Sequence, residues 1–149
     1  MKIAIACDHG GFALIEEVKK YLDEKGIEYK DFGCDSEERT DYPIYAELAM
    51  EAIQRKECDK GILICGTGFG MSIVANKFKG IRCAPCFDEA MAKQAKEHSN
   101  INILALPAEY VNITKAVPII RIWLASEFLE GRYSERLQMI EDIEKENMK

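Results

Sequence analysis

Gly61-Ile62-Leu63-Ile64-Cys65-Gly66-Thr67-Gly68-Phe69-Gly70-Met71-Ser72-Ile73-Val74-Ala75-Asn76 reads as an apolar strand, a glycine-rich turn and the opening of a helix. Glycine at 66, 68 and 70 lets the backbone turn its N–H groups toward one point, where they and the positive end of the helix can hold an anion. Cys65 stands at the mouth of that loop. The field that attracts an anion also favours a thiolate, so Cys65 is a candidate nucleophile or base at neutral pH.

Outward from this stretch the chain alternates. β-rich apolar runs fall at about residues 2–7, 28–32, 61–65, 81–84 and 101–106, and helical patterns at about 11–25, 43–56, 69–78, 87–97 and 111–130. A series of βαβ units predicts a parallel sheet covered on both faces, with an expected strand order of 2-1-3-4-5. The crevice of that order lies between the carboxyl ends of strands 1 and 3, where Cys7-Asp8-His9-Gly10-Gly11 would meet the Cys65 loop. A last helix, about 133–147, carries Leu137, Ile140 and Ile143 as an apolar stripe, with Met139 beside it, and is expected to contribute to a subunit interface.

The 149 residues fit one domain, 1–149, with 48% hydrophobic and 31% charged residues to supply a core and a polar surface. A net charge of -6 argues against nucleic acid or an anionic membrane as partner, and favours a small-molecule ligand. The apolar stretch from Ala116 to Ala125 is broken by Pro118 and Arg121, so neither a signal peptide nor a membrane span is expected, and the expected location is cytoplasmic. Six cysteines at 7, 34, 58, 65, 83 and 86 form no disulfide framework. Cys83-Ala84-Pro85-Cys86 has a redox or zinc spacing, but too few further ligands accompany it. The plainer reading makes Cys83 a buried strand residue and Cys86 the start of a loop.

Each candidate site residue has an ordinary alternative. His9 follows strand 1 and His98 ends the fourth helix; either could be a hydrogen-bonded surface residue, yet both are expected at loops ringing one cleft. Asp8 is either a helix cap or a grip on sugar hydroxyls. Arg132 and Arg136, four apart on the last helix, repel one another mildly, and either Glu130 and Glu135 or a bound phosphate would offset this.

Three familiar loops are excluded by single residues. A phosphatase loop needs arginine where Met71 stands, a nucleotide P-loop needs lysine before Ser72, and the dinucleotide glycine pattern is not met after Gly70. What remains is an anion-stabilising loop with a thiol base beside it, which suits proton abstraction next to a carbonyl. A non-catalytic Rossmann-like phosphate- or nucleotide-binding module is the alternative, although it would need no thiol, hydroxyl and imidazole around one cleft.

Cys7-Asp8-His9-Gly10-Gly11, Glu38-Arg39-Thr40-Asp41-Tyr42-Pro43, Gly61 through Gly68, Ala75-Asn76-Lys77-Phe78 and Gly131-Arg132 with Arg136 together resemble the type B ribose-5-phosphate isomerases, a group that includes galactose-6-phosphate isomerase subunits. The resemblance runs over essentially the whole chain. It implies a Rossmann-like three-layer α/β/α sandwich, a homodimer or tetramer, no cofactor, and a metal-independent aldose–ketose isomerisation through a cis-enediolate. It makes Cys65 the base that moves the proton between C1 and C2, and has His98, helped by Thr67, open the furanose ring. The N–H groups of Gly66, Thr67, Gly68, Phe69 and Gly70 would hold the enediolate oxygens. Asp8 and Tyr42 would face sugar hydroxyls, and His9, Arg132 and Arg136 the phosphate, some of them donated across the dimer interface. Two positions depart from the pattern: Ser99 stands where asparagine is usual beside the sugar, and Glu109 where an arginine usually binds phosphate. These departures imply relaxed sugar specificity.

Overall fold

Buried side chains occupy nearly every position of β1 (Lys2–Cys7), β3 (Lys60–Cys65) and β5 (Ile103–Pro107), the pattern of strands covered on both faces. β2 (Glu28–Asp31) and β4 (Cys83–Pro85) are shorter and less buried, as edge strands can be. A computed structural model, which describes residues 1–148, joins them in one all-parallel sheet of order β2-β1-β3-β5-β4.

The side chains alternate between two cores. Ile3, Ile5, Cys7, Ile62, Ile64, Leu104 and Leu106 face α1 (Phe12–Glu24), α4 (Glu89–Ser99) and α5 (Ile113–Ala125). Ala4, Ala6, Leu63, Cys65, Ile103 and Ala105 face α2 (Tyr42–Gln54) and α3 (Phe69–Ala75). Alanines on this second face meet Ala46, Ala49 and Ala52 of α2, small residues on both sides of the contact. The three-layer α/β/α class is therefore present.

The expected order 2-1-3-4-5 is corrected at its far end: β5, not β4, lies beside β3. The chain leaves β3 through α3, skips one strand position to lay down β4, and returns through α4 to fill the gap with β5. One helix boundary and one strand boundary differ as well. The fifth helix, expected to reach 130, ends at Ala125, where Ser126 turns extended and its hydroxyl donates to the Ile122 carbonyl at 2.6 Å. β4 begins at Cys83, later than expected, because the backbone before it is held by side chains: the Asn102 Oδ1 accepts from the Arg82 N–H at 2.8 Å and the Asn76 Oδ1 from the Cys83 N–H at 2.8 Å. The last helix, α6 (Arg132–Asn147), buries none of its residues within the chain.

Candidate active site

β3 delivers Cys65 to the carboxyl edge of the sheet, where Gly68, with φ +79, turns the chain into α3. The loop closes on its own side chains. The Gly68 N–H donates to the Cys65 Sγ at 3.2 Å, and the Phe69 N–H donates to the Thr67 Oγ1 at 3.2 Å. The sulfur is thus buried, with a backbone donor aimed at it, at the amino end of a helix. Burial pushes up the Cys7, Cys58, Cys83 and Cys86 thiols, Cys83 and Cys86 to about 12, and so keeps them protonated at neutral pH. Cys83 is a buried strand residue and Cys86 follows the strand, as their sequence context indicates.

The loop is flanked on both sides because β1 and β5 are both neighbours of β3 and send their chains to the other face. On the β1 side Asp8 caps the following turn, its Oδ1 accepting from Gly10 N–H at 2.9 Å and Gly11 N–H at 3.2 Å. A Cβ on Gly10 would lie 3.5 Å from the Gly66 N, and one on Gly11 would lie 2.5 Å from the Ile64 carbonyl oxygen, so two glycines bring this turn onto the Cys65 loop. His9 sits in the same turn with its Nδ1 3.1 Å from the Thr40 N–H, which fixes the ring against the 36–41 segment. On the β5 side the Ala108 and Glu109 N–H groups donate to the carbonyls of Cys65 and Gly66, each at 2.9 Å. The Glu109 carboxylate lies over Gly66, where a Cβ would come within 2.8 Å of its Oε1. Tyr42, at the start of α2, lies against Gly70 in the same way, 2.6 Å from where a Cβ would stand. Phe69 is half-exposed at the rim, 6.2 Å from the Phe87 ring, which continues to Tyr110 at 5.7 Å.

Both histidines are expected to ring one cleft, but within one chain the structure does not bring His98 to this cluster. A helix that follows a parallel strand runs back to the amino edge of the sheet. His98 and Ser99 form the last turn of α4, before β5 begins at Ile103, whereas Cys65 pairs with Pro107 at the strand's other end. Four residues of strand span roughly 13 Å. His98 instead lines a cavity of about 290 Å³ along α4 with Pro85, Met91 and Gln94.

Arg132 and Arg136 share that amino edge. The Leu129 N–H donates to the Glu97 carbonyl at 3.0 Å, which ties the segment before α6 to the last turn of α4. Tyr133, which the sequence reading did not single out, stacks on His98. Both arginines are exposed. The candidates therefore form two constellations: Asp8, His9, Tyr42, Cys65, Gly66, Thr67, Gly68, Phe69 and Gly70 at one edge, and His98, Ser99, Arg132 and Arg136 at the other.

Residues 3–140 match the family model described as Ribose/Galactose Isomerase. The ribose-5-phosphate isomerase B of Escherichia coli is 44% identical over 143 residues, 96% of this chain and 96% of that protein. The structure of ribose-5-phosphate isomerase B from Clostridium thermocellum superposes with a TM-score of 0.96 at 45% identity, covering 98% of this chain and 99% of the other. That of the Mycoplasma genitalium enzyme with bound ribulose-5-phosphate gives a TM-score of 0.92 at 34% identity, with 98% and 97% covered.

Proposed function

The chain belongs to the ribose/galactose isomerase family, whose members here are sugar-phosphate isomerases, and from that premise we propose that it interconverts ribose 5-phosphate and ribulose 5-phosphate without a metal ion, on sites shared between two copies of the chain. The observation that carries this reading is the thiol of Cys65 set into a loop of backbone N–H groups. A thiolate there takes the proton from C2 of the open-chain aldose. The electrons move into the carbonyl, and the oxyanion at O1 is met by N–H donors that need no rearrangement. The O2 hydroxyl proton passes to O1, and as the C2 carbonyl forms the thiol returns its proton to C1, giving the ketose. Each such preorganised donor contributes about 3 kcal/mol of transition-state stabilisation.

Free pentose phosphates are largely cyclic, so a separate acid–base group must open the ring first. His98 and Thr67 take that role, with Thr67 from the copy that supplies Cys65 and His98 from its partner. Asp8 and Tyr42 hold sugar hydroxyls, Ser99 lies beside the sugar, and His9 with Arg132 and Arg136 binds the phosphate. The sharing between copies is supported by the separation of the two constellations within one chain. It is also supported by the apolar surface around them: Ile73 is 63% exposed on α3, and Ile143 is 61% exposed on α6. Each copy would work as one domain in the cytoplasm, where six unpaired thiols stay reduced.

A coupled assay for ribulose 5-phosphate, run with and without a thiol alkylator and again after EDTA, tests the reading. Turnover that alkylation of Cys65 abolishes and EDTA leaves unchanged is expected. Turnover that survives stoichiometric modification of Cys65, or that EDTA removes and a divalent ion restores, would contradict it.

A further inference from the structure

We propose that Tyr133 is a positioning residue: its ring fixes the His98 imidazole and the Arg132 guanidinium in one preassembled unit, which is presented to the Cys65 loop of a second copy. The inference rests on the isomerase reading above for the use of that unit, but the unit itself is visible in the single chain.

The His98 and Tyr133 rings stack with centroids 4.4 Å apart and planes 10° from parallel. Among the described residues the His98 imidazole makes no hydrogen bond, so this stack sets the ring's orientation. Arg132 is exposed and is restrained by the same tyrosine. Its guanidinium carbon lies 5.1 Å from the Tyr133 ring centroid, and its Nη2 donates to the phenol oxygen at 3.1 Å. One aromatic side chain thus holds an acid–base group and a phosphate-binding cation in fixed relation.

The backbone places it there by an unusual route. Glu130 has φ +61, a left-handed conformation that costs a residue with a Cβ, and Gly131 follows with φ +58. This pair reverses the chain after α5, while the Leu129 N–H is held by the Glu97 carbonyl, one residue before His98. Strain maintained at such a turn needs a return elsewhere in the molecule. Core packing does not supply it, because α6 buries no residue and Tyr133 is itself only half-buried. The turn sets α6 so that Glu144 accepts from the Gly80 N–H at 2.9 Å near its far end and Tyr133 stacks on His98 at its start. For a general acid–base group such placement matters greatly, since a displacement of about 1 Å can cost roughly a hundredfold in rate.

The test compares the full-length protein, in its native assembly, with Tyr133→Leu and Tyr133→Phe. In the native protein the imidazole C–H resonances of His98 should show an upfield ring-current shift relative to the unfolded chain. Tyr133→Phe should keep that shift and Tyr133→Leu should lose it. In the aldose-to-ketose direction Tyr133→Leu should lower kcat by roughly 10–100-fold, with a much smaller loss for the open-chain ketose. Tyr133→Phe should keep kcat within about twofold and raise KM several-fold, because only the hydrogen bond to Arg132 is lost. Equal losses in both directions, or an unchanged kcat in Tyr133→Leu, would overturn the proposal. An unshifted His98 resonance in the native protein would do so even if Tyr133→Leu fails to fold. A native protein with a shifted resonance and no isomerase activity would instead defeat the functional reading on which the proposal rests.

Discussion

The Cys65 loop and the His98 edge solve the problem of placing reactive groups in opposite ways. At the loop, position is set by backbone: a buried strand ends, a glycine with φ +79 turns the chain, and the β1 turn lies so close that a Cβ on Gly11 would clash with the Ile64 backbone. At the other edge, position is set by exposed or half-buried side chains resting on one another, with Tyr133 between His98 and Arg132. In the proposed reaction the first region would be complete in one chain and the second would need a partner copy. On the proposed reaction an oxyanion site would gain from rigid donors, whereas groups that act on a cyclic sugar or its phosphate could be brought in by a second copy.

The sharpest way to break this contrast is to remove the sulfur. Cys65→Ala should lower kcat by about 10³-fold or more with the fold intact, since the loop geometry comes from backbone; circular dichroism and the coupled assay check both halves. His98→Ala should lower kcat about 10²-fold with saturating cyclic ribose 5-phosphate and much less with saturating ribulose 5-phosphate. Equal losses would assign His98 to proton transfer and dissolve the division of labour.

A third prediction concerns the charge at the loop's flank. The carboxylate of Glu109 over Gly66 should disfavour a phosphate dianion, because a charged hydrogen bond gained or lost at such a site is worth about 1.5–3 kcal/mol. The native protein should therefore turn over free allose or allose 6-phosphate measurably alongside ribose 5-phosphate. Glu109→Arg should raise kcat/KM for phosphorylated over free sugars by about tenfold or more. No change in that ratio would show that Glu109 faces away from the phosphate.

The smallest expected effect separates the loop thiol from the structural ones. Cys83 and Cys86 ionise near 9 in a model thiol but near 12 when buried, so folding keeps their protons. Their contribution to stability is full below pH 9 and is lost as pH rises toward 12. The melting temperature should fall over that interval, and the fall should be shallower in a Cys83→Ala/Cys86→Ala double variant. An identical slope would mean that other groups govern alkaline unfolding.

Much of the first region was legible in the sequence. Apolar runs marked the strands, and the glycines at 66, 68 and 70 marked the loop, because a backbone turn leaves its signature in local residue choice. The strand order was not legible at β4 and β5, since nothing local to Phe69–Ala75 records whether the chain that follows skips a position. That single exchange places Glu109, rather than the segment after Cys86, beside Gly66. The separation of His98 from Cys65 within one chain has a different cause. A helix that follows a parallel strand ends at the amino edge of the sheet, so nearness to β5 in chain order does not bring His98 to the cleft of its own chain. Tyr133 left no signal of its own, because a lone tyrosine in an amphipathic helix reads as surface until the turn at Glu130 and Gly131 is known.

The claim that the two regions complete one another between chains is tested most directly by mixing. Cys65→Ala and His98→Ala proteins, each nearly inactive alone, are unfolded together and reassembled, or produced together, in equal amounts. Random pairing makes half of the dimers mixed, and each mixed dimer holds one site with both residues intact, so activity should return to about a quarter of the native value. Mixed assemblies that form, as mass spectrometry of tagged chains would show, yet remain as inactive as their parents would contradict the account.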